Sequence, residues 1–338
     1  PSNFTGLQVM NSDWNSFLTQ QGMDNAPSQA DCALCDLSDQ GLIRVGGEDA
    51  RDFLQGQLTN DISLVDGSTG QLGALCNPKG RMLACFNIFQ RNDHIYLQLP
   101  VERLEAILKR LRMFVLRSRV ILQDATDELV IIGLSGDCIH KLLSEVPEGA
   151  MQQTRVEDLS LIRMPGELPR VQLVGPPQSI LAFCKQKAPE TTLVNRDFWA
   201  LQNIRAGLPS VYNSTAEAFT PQTLNLQLLE GISFTKGCYT GQEVIARMKY
   251  LGQLKRRMYV AHFDTDARPA PGDRLYSASS KSGQGAGQVV DVRPDPAGGY
   301  AALVMIQIST AEADDLQLTD GQGARMELSE PPYGFAAE

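Results

Sequence analysis

The chain lacks any long apolar run: nothing in its 338 residues approaches the roughly 18 consecutive apolar residues that a membrane-spanning helix needs. It also lacks excess positive charge, and a net charge of −9 argues against a surface built for broad nucleic-acid binding. Residues 1–30 show no charged-then-apolar leader. We therefore expect a cytoplasmic protein without a membrane partner, in which any anion-binding surface is local.

Histidine and paired cysteine are scarce as well, which bears on metal and disulfide chemistry. The seven cysteines are scattered and odd in number, so we expect no disulfide framework. Cys32 and Cys35 form a C-x-x-C pair, but neither a second pair nor neighbouring histidines complete a zinc site, which favours an ordinary pair at a strand edge over a zinc or redox role. Cys85, Cys138 and Cys184 lie among apolar residues and are predicted to be inert core thiols. No metal site is predicted.

Periodicity along the chain predicts an α+β fold. Helical spacing of apolar residues covers 48–58, 100–112, 138–146, 179–187, 195–207 and 242–249, whereas strand patterns cover 41–45, 61–64, 70–76, 82–89, 95–99, 114–122, 128–134, 159–164 and 170–174. From residue 258 onward, short strands alternate with turn residues, which is typical of a small β-barrel. The predicted regions are a polar lead-in at 1–30 with a short helix near 14–18, α+β regions at 31–125 and 126–257 that are separate or interleaved, and a C-terminal β-barrel domain at 258–338.

The most informative stretch is the octapeptide Lys236-Gly-Cys-Tyr-Thr-Gly-Gln-Glu243. Gly237 and Gly241 let backbone approach a ligand closely. The lysine, and a helix predicted to start at the end of the octapeptide, favour the thiolate form of Cys238. A phosphate loop is disfavoured because the lysine precedes the glycines, and no neighbouring histidine supports a Cys–His nucleophile. The alternative is a glycine-rich turn with an incidental cysteine.

Four other groups allow a structural or a binding role. Trp199 lies in a predicted helix, where its indole suits core packing or stacking on a flat heteroaromatic ligand. Gln55 and Gln57 flank a glycine at a helix end, where their amides finish the helix or hydrogen-bond a pterin-like ring edge. The turn that starts at Asn77 carries two cations and is typical of a solvated hairpin. The segment that starts at Arg247 and ends at residue 257 holds five cations and no acid, which suits one anionic group.

Together these motifs carry a family resemblance. They are Gln55-Gly-Gln-Leu-Thr-Asn-Asp61, Asn77-Pro-Lys-Gly-Arg81, Trp199-x3-Asn203-Ile-Arg-Ala-Gly-Leu-Pro209, Pro221-Gln-x2-Asn225-Leu and the octapeptide, in that order. In this set the chain resembles the bacterial YgfZ family, which comprises folate-binding relatives of the glycine-cleavage aminomethyltransferase connected with iron–sulfur enzymes and tRNA modification. The resemblance covers residues 37–257, and the octapeptide is its most specific part.

The resemblance implies an aminomethyltransferase-like α+β fold with three domains around a central channel that binds tetrahydrofolate. The octapeptide residues that it implies for function are the critical pair Cys238 and Lys236, supported by Gly237, Tyr239, Gly241, Gln242 and Glu243. For folate binding it implies Trp199, and we add Gln55, Gln57, Asn77 and Arg247 as candidate contacts. A folate presents a flat ring and an anionic tail, which suit an aromatic side chain and a local group of cations.

One departure bears on the reaction. The resemblance to aminomethyltransferases implies an aspartate on the strand after the glycine-rich hairpin, whereas this strand reads Gly80-Arg-Met-Leu-Ala84-Cys85-Phe86. Whether the chain is an enzyme therefore stays open. The favoured hypothesis is a tetrahydrofolate-binding protein that supports iron–sulfur cluster assembly or repair through Cys238, with iron–sulfur enzymes or cluster-assembly proteins as partners and tRNA as an indirect one. The alternatives are a folate-dependent aminomethyl transferase and a factor that binds tRNA directly.

Overall fold

The computed structural model describes residues 12–23, 26–280, 285–318 and 323–335. Its helices are α1 (Ser12–Gln20), α2 (Ala50–Gln57), α3 (Val101–Arg112), α4 (Ile139–Leu142), α5 (Pro177–Lys187), α6 (Arg196–Arg205), α7 (Gln242–Leu251) and α8 (Ile308–Ala313). Its strands are β1 (Ala33–Asp36), β2 (Gln40–Gly46), β3 (Gln71–Cys76), β4 (Met82–Arg91), β5 (His94–Pro100), β6 (Ile121–Asp124), β7 (Val130–Ser135), β8 (Gln153–Val156), β9 (Leu159–Arg163), β10 (Arg170–Gly175), β11 (Thr192–Val194), β12 (Arg256–Phe263), β13 (Arg274–Tyr276), β14 (Gly287–Pro294), β15 (Tyr300–Gln307), β16 (Gln317–Leu318) and β17 (Glu327–Ser329). No helix within these described ranges has the length and apolar character to span a bilayer.

The chain divides into two compact units, each built from several sequence segments. Unit 1 comprises Pro1–Gly47, Val65–Gly70 and Ile88–Trp199, and unit 2 comprises Glu48–Leu64, Gln71–Asn87 and Ala200–Glu338. The division falls within β4 and within α6. The described strands form sheets in the orders β11-β1-β7-β10-β9-β8, β3-β4-β5-β2-β6 and β16-β13-β14-β15-β12-β17.

The core of unit 1 is built on the sheet that contains β7 and β10. Every residue of these two strands is buried, as expected for strands covered on both faces. Trp14 and Phe17 of α1 and Ile180 and Cys184 of α5 belong to the same core. The short helix predicted near 14–18 is confirmed as α1, while the rest of the predicted lead-in lies partly outside the described residues.

A disulfide joins Cys32 to Cys138 in unit 1, which the sequence analysis did not predict. β1 pairs antiparallel with β7 and places Ala33 opposite Ser135, so the residue before β1 meets the turn after β7 at a Cα–Cα distance of 5.7 Å. The prediction that Cys138 is an inert core thiol is therefore wrong. Cys35 lies on β1, an interior strand of its sheet, and not at a strand edge.

Three other segments differ from their sequence patterns. Residues 114–122, predicted as a strand, mostly connect α3 to β6, and Leu116 there is 87% exposed with a φ of +41°, which an extended strand does not allow. The strand predicted at 61–64 contains the 3₁₀ helix Ile62–Leu64 instead. The helix predicted at 138–146 is confined to α4, because the backbone becomes extended at Leu143.

Unit 2 contains the C-terminal β-rich region predicted from residue 258 onward. β15 pairs antiparallel with both β12 and β14, and apolar side chains such as Phe263, Val289 and Val304 form its core. Helix α8 follows β15 directly, so the expectation of strands alone is wrong for 308–313. A second core of unit 2 contains Tyr239 and Ile245, which anchors the octapeptide and α7.

Candidate functional site

The octapeptide forms a loop of unit 2 that leads into α7. Gly241 caps this helix with a φ of +86°, a left-handed conformation that suits glycine. A Cβ on Gly241 would lie 2.6 Å from the carbonyl oxygen of Asn77, so the glycine also lets the hairpin turn approach. Around Gly237, in contrast, no described atom apart from its two chain neighbours lies within 4 Å of where a Cβ would stand. Cys238 beside it is exposed.

Lys236 is buried, and its ammonium group is fully engaged. Nζ donates to the carbonyl oxygens of Gln55 at 2.7 Å, Leu58 at 2.8 Å and Asn60 at 2.9 Å. These carbonyls lie at the end of α2 and just beyond it, where helical hydrogen-bond partners run out. Burial lowers the pKa of Lys236 to about 8, and the nearby Asp61 carboxylate acts in the opposite direction. Lys236 therefore fastens the octapeptide to the end of α2.

Further hydrogen bonds join the residues that follow α2 to the chain just before the octapeptide. The Asn60 amide donates to the carbonyl of Glu230 at 2.7 Å, and the Thr59 hydroxyl donates to the carbonyl of Gly231 at 2.8 Å. We call these bonds, together with the three from Lys236, the Lys236 clamp. Sequence reasoning missed Thr59 and Asn60 as residues that build the site. Their place inside the first motif was the signal that could have identified them. Their acceptors are backbone carbonyls, which every residue has, so the sequence could not show which residues they bind.

The two glutamines near the end of α2 differ in what their amides do. Gln55 donates to the Asp61 carboxylate at 2.9 Å and accepts the N–H of Ile62 at 2.8 Å, so its amide closes the turn after α2. Hydrogen bonds from Ser63, and then from Gln55, hold the pKa of Asp61 below its usual value. The half-buried side chain of Gln57 has no hydrogen bond within the part of the chain that the structure describes. Of the two amides, Gln57 is the one left for a ligand.

The hairpin turn 77–81 is organised by Asn77. Its Oδ1 accepts the N–H groups of Lys79 at 2.9 Å and Arg81 at 3.0 Å, and its Nδ2 donates to Glu217 at 2.9 Å. The same turn packs against the first turn of α7. Asn77 thus fixes the hairpin beside the octapeptide, and its amide is occupied in doing so.

Tyr239 anchors the loop that presents the exposed cysteine. Its side chain is 7% exposed, its ring centroid lies 5.1 Å from the Lys236 ammonium nitrogen, and burial raises its pKa. Gln242 donates its backbone N–H to the Tyr239 carbonyl at 3.2 Å. Glu243 and Arg247 are exposed on α7 and form no ion pair with any described residue. The loop is therefore held at its buried residues, while its thiol faces solvent.

Trp199 belongs to unit 1 and is buried there, with 5% of its surface exposed. Its ring packs so closely on Gly133 that a Cβ there would lie 2.3 Å from the indole, and the Arg170 guanidinium lies 4.9 Å from the ring centroid. Burial lowers the pKa of Arg170 to about 9. The structure thus brings the octapeptide, the end of α2 and the hairpin turn together in unit 2 and places Trp199 in the core of unit 1.

The chain has clear relatives among known proteins. A tRNA-modifying protein YgfZ from Colwellia psychrerythraea is 36% identical over 231 residues, which cover 67% of this chain and 70% of that protein. The chain belongs to the YgfZ family. A second YgfZ, the tRNA-modifying protein of Photobacterium profundum, is 29% identical over 305 residues, 90% of this chain and 92% of that protein. No protein-family model matches the chain.

The fold of this YgfZ-family chain also occurs among solved structures. The glycine cleavage system aminomethyltransferase T from Bartonella henselae superposes with a TM-score of 0.70 at 15% identity, over 91% of this chain and 87% of that one. The likeness confirms the predicted aminomethyltransferase-like α+β fold, and at this identity it shows the fold alone. The resemblance to aminomethyltransferases implies an aspartate on β4. Ala84 and Cys85 stand at these positions, and both are buried.

Proposed function

We propose that this YgfZ-family chain binds tetrahydrofolate and supports the assembly or repair of iron–sulfur clusters in enzymes, including those that thiolate tRNA. The observation that carries the proposal is an exposed Cys238 on a loop held by the Lys236 clamp. Two relatives are named tRNA-modifying proteins, which agrees with a role beside tRNA-modification enzymes. We place this role in the cytoplasm, where tRNA is modified, with iron–sulfur enzymes or cluster-assembly proteins as partners.

Accessibility singles out Cys238 among the free thiols. Cys35, Cys76, Cys85 and Cys184 are buried, and burial raises the pKa of each. A cysteine binds a metal or attacks a substrate as the thiolate, and it must be reachable to do so. Cys238 is accordingly the critical thiol of the proposal. Cys238 either ligates an iron–sulfur cluster or takes part in its transfer, or it reacts transiently with a one-carbon unit carried by folate.

Lys236 has a positioning role in this proposal. All three protons of its ammonium group are donated to backbone carbonyls, which leaves none for a substrate. Its contribution is the fixed path of the loop that carries Cys238.

Two side chains of unit 2 suit a folate. Gln57 offers an amide without a partner in the described chain, and such a group both donates to and accepts from a pterin edge. Arg247 offers an unpaired cation to the carboxylates of the tail. A bound folate would supply a carrier of one-carbon units. Gln55 and Asn77 shape the site through the turns they close, and Trp199 stays a predicted contact whose ring is covered within unit 1.

The thiol is tested in a bacterial strain that lacks its own YgfZ-family gene. Cys238→Ala and Cys238→Ser should fail to restore the activity of a tRNA-thiolating iron–sulfur enzyme, whereas the wild type restores it. Lys185→Leu, at an exposed position of unit 1 outside the site, is the control and should restore the activity. Full rescue by Cys238→Ala would remove the thiol from the proposal.

Folate binding is tested by calorimetric titration of the purified chain with tetrahydrofolate. Gln57→Leu should weaken binding of any pterin, whereas Arg247→Leu should weaken binding only of folates that carry a glutamate tail, each by about tenfold. Lys185→Leu, an exposed lysine of unit 1, is the control. Absence of saturable heat with the wild type would contradict the binding half of the proposal and leave the thiol experiment unaffected.

The fold likeness favours one second candidate, a folate-dependent aminomethyl transferase. Buried Ala84 and Cys85 on β4 supply no carboxylate for the amine at the expected place. We therefore expect no methylenetetrahydrofolate from an aminomethyl donor, and enzymatic formation of it would favour the transferase instead.

A further inference from the structure

The chain carries a basic surface that the proposed folate and thiol roles do not use in full. We call residues 247–257 the basic segment; it spans the end of α7 and the start of β12 and contains five cations and no acid. Arg247, Lys249 and Lys255 are exposed, and Arg256 is half-buried. In a chain of net charge −9, such a segment is a local concentration of positive charge.

These four cations are also unpaired. None of Arg247, Lys249, Lys255 and Arg256 forms an ion pair with a carboxylate in the described ranges. Elsewhere arginines are paired with acids: Arg44 with Glu128, Arg91 with Asp158, Arg196 with Asp36 and Arg205 with Asp295. The exposed Glu243 at the start of α7 is the nearest acid in sequence. The charge of these four cations is thus left for an external anion.

Aromatic rings accompany these cations. The Lys249 ammonium lies 3.8 Å from the ring centroid of Phe234 and 5.5 Å from that of Tyr250. Tyr250 is 64% exposed, so much of its ring is accessible to a ligand. Arg247 lies three residues before it, on the same exposed face of α7. A cation and a stacking surface are therefore presented side by side.

The start of β12 extends the basic surface to the hairpin turn. This turn packs on the first turn of α7, where a Cβ on Gly80 would lie 3.1 Å from the Val244 side chain, and Arg81 follows Gly80 directly. Burial lowers the pKa of Arg256, and the positive charge of Arg81 lowers it further, as expected for two like charges that repel each other. Arg81 donates to the carbonyl of Ala218 and has no acidic partner in the described chain. An anion bound beside both arginines would relieve this repulsion.

We propose that the basic segment and Arg81 form a binding surface for single-stranded RNA. Lys249, Lys255 and Arg256 would contact phosphates, and Tyr250 would stack on an unpaired base. Repeated phosphates match cations spread over a helix and a strand better than one small anion does. The exposed ring adds recognition that a purely electrostatic partner, such as an acidic peptide, would not need. This surface acts independently of Cys238.

The test measures fluorescence anisotropy of labelled single-stranded RNA of about 12 nucleotides with the full chain, at several salt concentrations. One double variant removes two cations of the basic segment, Lys249→Gln/Lys255→Gln. Its control is the double variant Arg155→Gln/Arg325→Gln, which removes two exposed, ion-paired cations elsewhere. Arg247 is left intact because it is the proposed folate contact. Tyr250→Ala is compared with Tyr250→Phe, which keeps the ring. A blunt duplex RNA and poly-glutamate are the competitor probes.

The lysine double variant should reduce the slope of log affinity against log salt by about 1.4, and the control pair should not change it. Tyr250→Ala should weaken single-strand binding about 5- to 150-fold, while Tyr250→Phe and Cys238→Ala bind as the wild type does. Three results would overturn the proposal. The two double variants lose equal affinity for RNA, Tyr250→Ala keeps the wild-type affinity, or poly-glutamate competes more strongly than RNA does. Circular dichroism confirms that each variant is folded.

Discussion

The Lys236 ammonium donates a hydrogen bond to the carbonyl oxygen of Leu58 at 2.8 Å, although 178 residues separate the two in the sequence. The same nitrogen serves the carbonyls of Gln55 and Asn60. One buried cation therefore replaces the missing helical partners at the end of α2 and fixes the octapeptide at the same time. The first predictions follow from this double role.

Replacing Lys236 by methionine should destabilise the chain. The side chain keeps its length but leaves three carbonyls of the clamp without a donor, and we expect a loss of about 3 kcal/mol in the free energy of unfolding. Urea denaturation measures the change. Lys185→Met, at an exposed position in α5, should change the free energy by less than about 0.5 kcal/mol. Equal stability of the two variants would show that the three hydrogen bonds from Lys236 contribute nothing.

The Lys236 clamp should also give stability a specific pH dependence. Burial lowers the folded-state pKa of Lys236 to about 8, below its ordinary value of 10.5. Between these two values the unfolded chain binds more protons than the folded chain, so this group makes the free energy of unfolding rise with pH. Below pH 8 the full cost of burying the charge is present.

Comparison of the wild type with Lys236→Met isolates this contribution. The difference in their free energies of unfolding should grow in favour of the wild type between pH 7.5 and pH 9.5, by about 1 to 2 kcal/mol. A constant difference over this range would mean that Lys236 titrates at the same pH in both states.

Alanine substitutions at the two octapeptide glycines should have opposite outcomes. Gly241 has a φ of +86°, and a methyl group there would meet the Asn77 carbonyl oxygen at 2.6 Å, so Gly241→Ala should cost about 2 kcal/mol or more. In Gly237→Ala the new methyl group meets no described atom within 4 Å apart from the two chain neighbours, so this variant should be nearly neutral. Thermal denaturation distinguishes the two, and a stable Gly241→Ala would contradict the close contact with the hairpin.

The disulfide between Cys32 and Cys138 should stabilise unit 1. It closes a loop with a sequence separation of 106, for which chain entropy predicts a contribution of about 4 to 5 kcal/mol. Cys138→Ser should lower the unfolding temperature, and a reductant should then have no additional effect. Alkylation of the unreduced, denatured wild type should modify the five free cysteines and spare this pair. Modification of all seven would show that the bond is absent.

Local patterns predicted much of the fold. The apolar spacing over 100–112 corresponds to α3, whose Leu104, Ile107, Leu108 and Leu111 are all buried. The helix predicted over 195–207 corresponds to α6, and Asn195, a residue type favoured at helix starts, caps it: its Oδ1 accepts the N–H of Phe198 at 3.2 Å. Such signals are readable because helix faces and caps depend on residues close together in sequence.

The remaining features depend on residues far apart in sequence. Alternation over 114–122 indicated a strand, but a strand needs a partner, and most of this segment lies outside any sheet. The Cys32–Cys138 bond follows from the register of β1 against β7, which no local pattern encodes. In the candidate site, Lys236 could be predicted as a functional residue from its place in the octapeptide, but its hydrogen-bond acceptors could not. Its three acceptors are backbone oxygens, and any residue supplies those.

The bond between Lys236 and Gln55 spans 181 residues, which bears on how the protein is made. During synthesis at about 5 to 20 residues per second, α2 emerges roughly 10 to 40 s before the lysine that completes it. Contacts of such high sequence separation close late in folding. A nascent or prematurely terminated chain therefore carries the first half of the site without its thiol loop, and the ordered cysteine marks a polypeptide whose translation has passed the octapeptide.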